Sequence, residues 1–452
     1  MKQTQNISSV YFLGIGGIGM SAIARYFKSL GAKVSGYDKT PTALTERLQQ
    51  EGIDVHFEDD VALADTNADL VILTPAIPKD HKELNYFLSE QKQLKKRSEV
   101  LGIITKDKYS ICVAGTHGKT TTSAMIAHVL HHSGKGCTAF LGGIASNYQT
   151  NYWSSSTDSY VVEADEFDRS FLQLSPSIAI ITAMDADHLD IYGTEKTMQD
   201  AFIEFSSLIK NDGTLIIQED VKRLDEFAAN NKITYSANSH SADVCIENLK
   251  MQQGSYVFDV VGKISIENVE LNMGGLHNVE NALAAIIAAK IKGLNDDEIR
   301  AGISSFKGVH RRFEYIIKTD KTVFIDDYAH HPEELRALIL SAKKLFPEMK
   351  CTVIFQPHLF SRTKDLAPEF AEALSLADET LLLPIYPARE LPMEGVSSEL
   401  ILNAMTNQKH ILIEKDEAMK WINEHEIELL ITAGAGDIDK FVSPIKEQLQ
   451  KK

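Results

Sequence analysis

Two glycine-rich loops, each set between a short apolar strand and a helix, constrain this chain more than any other feature. The first is Gly14-Ile15-Gly16-Gly17-Ile18-Gly19. It follows the apolar run Val10–Leu13, and Ile23, Phe27 and Leu30 then fall on one helical face ahead of a second strand at Lys33–Tyr37. In that βαβ setting a G-x-G-x-x-G loop lets backbone N–H groups approach a diphosphate, and the helix N-terminus adds partial positive charge. Asp38 closes the second strand, where a carboxylate accepts ribose hydroxyls. By itself such a loop does not separate NAD, FAD and a UDP-sugar as ligand, nor any of them from an empty glycine turn.

The second loop, Gly115-Thr116-His117-Gly118-Lys119-Thr120-Thr121, follows the strand Ser110–Val113 and leads into a helix expected from about Ser123. It departs from G-x-x-x-x-G-K-[ST] in having Val113 where the first glycine would stand, yet its working parts remain. Backbone amides cradle phosphates, Lys119 reaches the β and γ oxygens, and Thr120 holds Mg²⁺. Glu163-Ala164-Asp165-Glu166-Phe167-Asp168 follows the strand Tyr160–Val162, where a P-loop fold supplies its second Mg²⁺ carboxylate. Asp185-Ala186-Asp187-His188-Leu189-Asp190 follows Ile178–Ile181 and should emerge at the same sheet edge. His188 is read there as a ligand for a second Mg²⁺.

At ~150 residues per domain, 452 residues make about three domains. Strand and helix patterns alternate along most of the length, which argues for α/β units with parallel sheets. The expected architecture is a Rossmann-like N-terminal domain over 1–106, a central P-loop ATPase-type α/β domain over 107–313, and a C-terminal doubly wound Rossmann-like domain over 314–452. The central domain carries an antiparallel appendage at about 232–273. The last domain is marked by strands at Thr322–Ile325, Cys351–Phe355, Glu379–Leu383, His410–Leu412 and Leu429–Thr432.

Asp and Glu number 63 against 46 Lys and Arg, a formal charge of −17, so the average surface repels nucleic-acid backbones and anionic lipid. A 44% hydrophobic and 24% charged composition is that of a globular protein, not a disordered or fibrous one. The four cysteines, Cys112, Cys137, Cys245 and Cys351, form no C-x-x-C pair and support neither a disulfide framework nor a zinc knuckle. The apolar stretch Val10–Ala24 is broken by glycines and reads as strand and turn, not as a membrane span or signal peptide. A cytoplasmic location is expected.

Taken together, the motifs resemble those of the Mur ligase family of bacterial peptidoglycan synthesis. The matching elements are GTHGKTTT at Gly115–Thr122, EADEFDRSF at Glu163–Phe171, DHLDIY at Asp187–Tyr192, HNVEN at His277–Asn281, GVHRRFE at Gly308–Glu314, DDYAHHP at Asp326–Pro332 and FQPHLFSRT at Phe355–Thr363. Within that family, the N-terminal GIGGIGM, DDYAHHP, FQPH and the run Tyr386-Pro387-Ala388-Arg389-Glu390 are similar to the member that adds the first amino acid. The resemblance implies an ATP-dependent carbon–nitrogen ligase joining L-alanine to the lactoyl carboxylate of UDP-N-acetylmuramate through an acyl phosphate. It further implies two Mg²⁺ ions, with Mn²⁺ as a substitute, and domains that bind UDP-sugar, ATP and amino acid in chain order.

On this resemblance Gly14, Gly16, Gly17, Ile18 and Gly19 hold the UDP-sugar diphosphate. Asp38, Thr74 and Pro75 line the nucleotide pocket, and Gly142, Gly143 and Asn147 add contacts from the central domain. ATP lies along Ala114, Gly115, Thr116, His117, Gly118, Lys119, Thr120 and Thr121, with Asn278 at the adenine, Arg312 at the phosphates and Asp327 closing on the nucleotide. Lys119 and Arg312 stabilise charge during phosphoryl transfer, while Thr120, Glu163 and His188 hold metal. His330, His331, His358 and Arg362 handle the amino acid: Arg362 grips its carboxylate, and one of the histidines, His331 among them, accepts the ammonium proton.

Two departures from the family pattern stand out. Phe205 falls near the place of a carbamylated lysine that bridges metals in sibling ligases, and Leu359 follows the FQPH histidine where many relatives carry arginine. Elsewhere His131-His132, Lys95-Lys96-Arg97 and Lys451-Lys452 read as solvated charges, and Gly434-Ala435-Gly436-Asp437 as a tight turn capping the next helix. Cys112 reads as a small buried hydrophobe. With three ligand sites on three domains, chemistry is expected to wait on closure.

Overall fold

The computed structural model describes residues 7–185, 189–252, 254–388, 390–407 and 409–451. Three sheets organise them. The first has the order β3-β2-β1-β4-β5, from β1 (Ser9–Leu13), β2 (Lys33–Tyr37), β3 (Asp54–His56), β4 (Leu70–Leu73) and β5 (Leu94–Lys96), all parallel. Helices α1 (Ile18–Ser29), α2 (Ala43–Gln50), α3 (Lys82–Ser89) and α4 (Arg97–Thr105) alternate with these strands. Strand order reverses at β1, so the loop leaving β1 sits where open α/β sheets take ligands. That loop turns through Gly14 at φ +88°, and a Cβ there would stand 2.5 Å from Thr74 Cγ2, so a side chain is excluded twice over.

The second sheet has the order β15-β14-β13-β12-β11-β10-β6-β9-β7-β8. Its strands are β6 (Tyr109–Ala114), β7 (Thr138–Ala145), β8 (Thr150–Trp153), β9 (Ser159–Glu163), β10 (Ile178–Ile181), β11 (Thr214–Gln218), β12 (Asn231–Ser236), β13 (Val244–Gln252), β14 (Ser255–Gly262) and β15 (Ile266–Leu271). The antiparallel appendage starts later than the sequence suggested. β12 runs parallel to β11 and to the start of β13, and only the short connections from β13 to β14 and β14 to β15 demand antiparallel pairing. Helices α5 (Lys119–His132), α6 (Leu189–Tyr192), α7 (Glu195–Ser207), α8 (Leu276–Ile291) and α9 (Asp296–Ser305) accompany this sheet. Helix α5 opens at Lys119, ahead of the expected Ser123. The β-branched run Thr120–Thr122 lowers intrinsic propensity, but Gly118 at φ +79° turns the chain straight from loop into helix.

The third sheet, in the order β16-β17-β21-β18-β19-β20, comprises β16 (Glu314–Lys318), β17 (Val323–Asp327), β18 (Cys351–Phe355), β19 (Glu379–Leu382), β20 (His410–Leu412) and β21 (Leu429–Ala433). It is parallel except for the β16 edge. Helices α10 (Pro332–Leu345), α11 (Phe360–Leu374), α12 (Glu399–Leu402), α13 (Lys415–Glu424) and α14 (Asp439–Leu449) complete this region.

The chain condenses into two compact units. One takes Met1–Glu247, Asp259–Glu267 and Glu280–Phe306, and the other takes Asn248–Phe258, Asn268–Val279 and Lys307–Lys452. Within the first unit, α1 is fastened to the second sheet. Its Tyr26 ring lies 5.6 Å from Phe140 and 6.4 Å from Tyr152, both buried. Arg25, only 7% exposed, holds Glu51 through Nε at 2.7 Å and Asn151 Oδ1 through Nη1 at 2.5 Å. Asn151 Nδ2 in turn donates to Ile18 O at 2.6 Å and Ser21 Oγ at 3.0 Å. The second unit has its own apolar centre around Phe324, Ile354, Leu381 and Leu430. Among the described residues no helix is long and apolar enough to cross a membrane.

Candidate active site

Backbone turns at Gly115 (φ +138°) and Gly118 (φ +79°) carry the chain from β6 into α5 and put Lys119, Thr120 and Thr121 on its first turn. A Cβ on Gly115 would stand 2.1 Å from Thr182 Oγ1, and one on Gly118 2.5 Å from Asn281 Oδ1. Asn281, which the sequence reading quoted only as the end of the HNVEN motif and gave no role, also accepts from Thr122 Oγ1 at 3.1 Å. The loop is pinned from the β10 side as well. Thr116 N donates to Ala183 O at 3.1 Å, and Thr182 Oγ1 donates to Ala114 O at 3.2 Å and to His117 O. His117 itself is exposed, with Nε2 3.7 Å from Asp185 Oδ2.

Lys119 Nζ donates to Gly115 O at 2.6 Å and to the buried Glu166 Oε1 at 2.7 Å. Thr120 Oγ1 donates to Glu163 Oε1 at 3.1 Å, and Glu163 Oε2 takes the Gly142 N–H at 2.9 Å. The acid run Glu163–Asp168 thus divides its labour in a way that spacing alone did not reveal. Burial pushes both the Glu163 and Glu166 carboxyls up, and the Lys119 ammonium opposes the shift. Tyr192 fixes the run by donating from its hydroxyl to Glu166 O at 2.5 Å.

A carboxylate so enclosed, sharing an oxygen with a threonine hydroxyl beside a lysine, fits a hard cation that draws its remaining oxygens from phosphate and water. Among the described residues no three His, Cys, Asp or Glu side chains converge to form a protein-only metal cage. Phe205, the residue near the siblings' carbamylated lysine, is fully buried and stacks on Phe171 at 5.0 Å. It packs apolar surface and offers no ligand. Ala186, Asp187, His188, Arg389 and Lys452 lie outside the described residues.

A cavity of about 400 Å³ opens between the first glycine loop and the acid run at Glu163–Asp168, and no residue of the second loop lines it. Gly17, Ile18 and Gly19 wall one end, Gly142 and Glu163 the other, with Thr74 and Pro75 alongside. Gly14 and Gly16 shape the first loop without lining this space. Gly16 N donates to Asp38 Oδ2 at 2.7 Å, so the carboxylate expected at the ribose braces the loop and is absent from the cavity wall. Gly143 and Asn147 are likewise off the wall, and Asn147 Nδ2 donates to Ser305 O at 2.9 Å.

Lys96 and Arg97 correct the sequence reading in the other direction, because both line the cavity. β5 ends at Lys96 beside β4, which delivers the pair to the ligand edge of the sheet, where Lys96 meets Asp168 at 3.1 Å and Arg97 meets Asp165 at 3.0 Å. His131, His132 and Lys451 are exposed, as read.

In the second unit, β17, β21 and β18 bring Asp327, Gly434 and Gln356 to one carboxyl edge. The Asp327 carboxylate receives Phe313 N and Ala329 N, both at 2.7 Å, and burial pushes its pKa up to about 6 against those donors and the Arg312 guanidinium. Arg312 is exposed. Its neighbour Arg311 is the engaged member of the basic run, donating through Nε to Asp326 Oδ2 at 3.2 Å and through Nη2 to Gly434 O. Asn278 is buried and donates to Gly274 O at 2.6 Å, tightening the entry to α8.

Three of the four residues expected at the amino acid come together. His330 is half-buried, with Nδ1 3.0 Å from Tyr328 O and 3.3 Å from Glu334 Oε2, and burial lowers its pKa. Its ring lies 6.4 Å from that of His358, and Arg362 Nη1 donates to His330 O at 3.5 Å. His331 stands apart as the exposed N-cap of α10. His358 stacks on Tyr386 at 5.9 Å, and Glu390, from the same run, accepts from Ser361 N at 3.0 Å at the head of α11. Asp437 does not cap α14, whose N-cap is Ile438; it accepts from Gln356 Nε2 at 2.9 Å and from Lys415 Nζ, tying β18 to α13.

Comparison with known proteins bears on this geometry. The family model for the Mur ligase family catalytic domain matches residues 9–109, that for the Mur ligase middle domain 113–289, and that for the Mur ligase glutamate ligase domain 311–436. A UDP-N-acetylmuramate–L-alanine ligase of Flavobacterium johnsoniae is 49% identical over 451 residues, covering 98% of each chain. One of Parabacteroides distasonis is 48% identical, again over 98% of each. Among solved structures, a UDP-N-acetylmuramate–alanine ligase of Thermotoga maritima superposes with a TM-score of 0.84 at 31% identity, over 98% of this chain and 99% of that one. A murein peptide ligase of Psychrobacter arcticus reaches 0.65 at 25% identity, over 98% of both.

Proposed function

The chain belongs to the Mur ligase family, and we propose that it joins L-alanine to the lactoyl carboxylate of UDP-N-acetylmuramate, turning ATP into ADP and phosphate in the cytoplasmic synthesis of peptidoglycan precursors. The observation that carries this reading is the cavity leading from the N-terminus of α1 to Glu163, whose carboxylate takes the Thr120 hydroxyl of the second loop. It offers room for a diphosphate at one end and reaches, through Glu163, the loop assigned to phosphoryl transfer at the other. The three domains read from the sequence, 1–106, 107–313 and 314–452, then serve UDP-sugar, ATP and amino acid in turn.

An amine does not displace oxide from a carboxylate at neutral pH, so ATP first converts the lactoyl carboxylate to an acyl phosphate. Lys119, held by Glu166 and aimed along the loop by Gly115 O, offsets the negative charge that grows on the γ-phosphoryl oxygens. Thr120 and Glu163 would hold one Mg²⁺ and His188 a second, with Mn²⁺ as a substitute. When bound, such an ion neutralises phosphate charge and orients the oxygens for in-line transfer. In the third domain Arg362 pairs with the L-alanine carboxylate. His330, kept neutral by burial near pH 7, is better suited than the exposed His331 to take the ammonium proton. The freed amine attacks the acyl carbon and phosphate leaves. Arg312, Asn278 and Asp327 are assigned to the nucleotide.

Phosphate release from ATP, measured with UDP-N-acetylmuramate, Mg²⁺ and single amino acids or a tripeptide, tests the reading. Release should need the sugar, peak with L-alanine, and fall by about three orders of magnitude in Lys119→Ala. Release with the tripeptide but with no single amino acid would instead make the chain a peptide-adding ligase.

A further inference from the structure

Helix α4 opens with Arg97, and the guanidinium reaches back across the cavity edge to the first turn of α1. A Cβ on Gly19 would stand 2.8 Å from Arg97 Nη1 and 3.2 Å from its Cδ, so the glycine makes room for this side chain. On its far side Arg97 Nη2 donates to Asp165 Oδ2 at 3.0 Å, and the side chain keeps 20% of its surface exposed. Lys96 repeats the arrangement with Asp168 at 3.1 Å. A planar, permanently charged donor therefore lies over a helix end whose first N–H groups have no intrahelical acceptor. Each cation in this wall is matched by a carboxylate from one loop, so the wall attracts anions only after a carboxylate lets go. That loop also bears Glu166, the partner of Lys119, one residue beyond Asp165.

We propose that Arg97 grips the diphosphate of the UDP-sugar, and that Asp165 holds it in reserve until the diphosphate arrives at the end of α1 and takes the carboxylate's place. The proposal rests on the UDP-sugar reading of the cavity. A diphosphate suits the exchange because it brings paired oxygens to a guanidinium fork and to the helix N–H groups at once, whereas Asp165 supplies one charge from one side. Asp165 thereby sets a threshold: a ligand without the diphosphate gains nothing from Arg97 and leaves the ion pair in place.

Equilibrium titration of the full chain with UDP and with uridine tests this. Arg97→Gln should weaken UDP binding by about tenfold or more and leave uridine binding unchanged. Asp165→Asn should leave UDP binding at least as tight as in the original chain, by about threefold tighter if the competing charge is all that is removed. A merely structural ion pair would make both variants lose UDP affinity together. The proposal is overturned if Arg97→Gln binds UDP within twofold of the original chain, or if Asp165→Asn weakens UDP in parallel with Arg97→Gln. Should Arg97→Gln not fold, Arg97→Lys, which keeps the charge and loses the fork, and Asp165→Asn carry the test. An original chain that failed to bind UDP would bring down the UDP-sugar reading and this proposal with it; UDP binding indifferent to Arg97 would bring down this proposal alone.

Discussion

Gly142 has no side chain, and Glu163 depends on that. A Cβ there would stand 2.3 Å from Glu163 Oε1 and 2.4 Å from Oε2, closer than any relaxed contact. Gly142→Ala must therefore push the carboxylate off Thr120, and we expect phosphate release to fall about a hundredfold while far-ultraviolet dichroism is unchanged. Glu163→Gln keeps the shape and deletes the charge, so the Mg²⁺ concentration needed for half-maximal rate should rise about tenfold. A rate insensitive to both changes would remove Glu163 from the reaction. The P-loop lysine and threonine were legible because their spacing from two glycines has one physical use. The acids were legible only as a group, since which of Glu163, Asp165, Glu166 and Asp168 faces Lys119 is decided by left-handed backbone at Asp168 and Arg169 and by the Tyr192 hydroxyl far along the chain. Arg97 was invisible for a related reason: a basic run at a strand end has the same composition whether it faces water or a crevice.

Strands buried on both faces, such as Ile178–Ile181 and Cys351–Phe355, could be read to the residue, because largely apolar runs of that length have few other uses. The β7–β8 hairpin escaped notice, since its two glycines and its Tyr-Gln turn break the pattern. At the mouth of the third sheet, β17 carries Asp326 into the interior, between Arg311 and Thr432, and burial pushes its pKa up to about 7. The unfolded chain ionises such an acid near pH 4. Its proton is held more tightly in the folded state, so the associated stability is complete below pH 4 and is lost as pH rises towards 7. Thermal unfolding of the second unit should accordingly show a higher Tm at pH 5 than at pH 7.5, and Asp326→Asn should flatten the difference. A Tm that climbs over that interval would contradict the assignment. Leu359, at φ +74° ahead of α11, holds a backbone shape that side chains resist. Leu359→Gly should raise Tm by a few degrees yet weaken L-alanine, because His358 and Arg362 flank it and lose a stiff connection.

At the scale of the whole chain, 63 acids against 46 bases leave a charge of −17, and every substrate assigned to it except L-alanine is itself anionic. Even the cavity wall offsets Lys96 and Arg97 with Asp168 and Asp165. Long-range repulsion should slow encounter, so the association rate of UDP-N-acetylmuramate is expected to rise about two- to fivefold as ionic strength increases from roughly 10 mM to roughly 150 mM. Stopped-flow mixing would show this, and a rate that fell steeply with salt would point to a positive funnel instead. The succession of α/β regions was legible because loops, strands and acid runs recur in an order that few folds accommodate. The union of the first sheet with strands β6 to β12 of the second in one unit was not, since it hangs on Asn151, a polar residue in a short strand, together with Arg25 and a few aromatic rings. Through Asn151 the glycine loop and Glu163 stand a set distance apart, as the jaws of a locked caliper do. On the function proposed above, such jaws accept a carboxylate one sugar away from its diphosphate. On that function the product would carry its free carboxylate one amino acid farther out than such jaws accept, and its peptide would grow by a single residue.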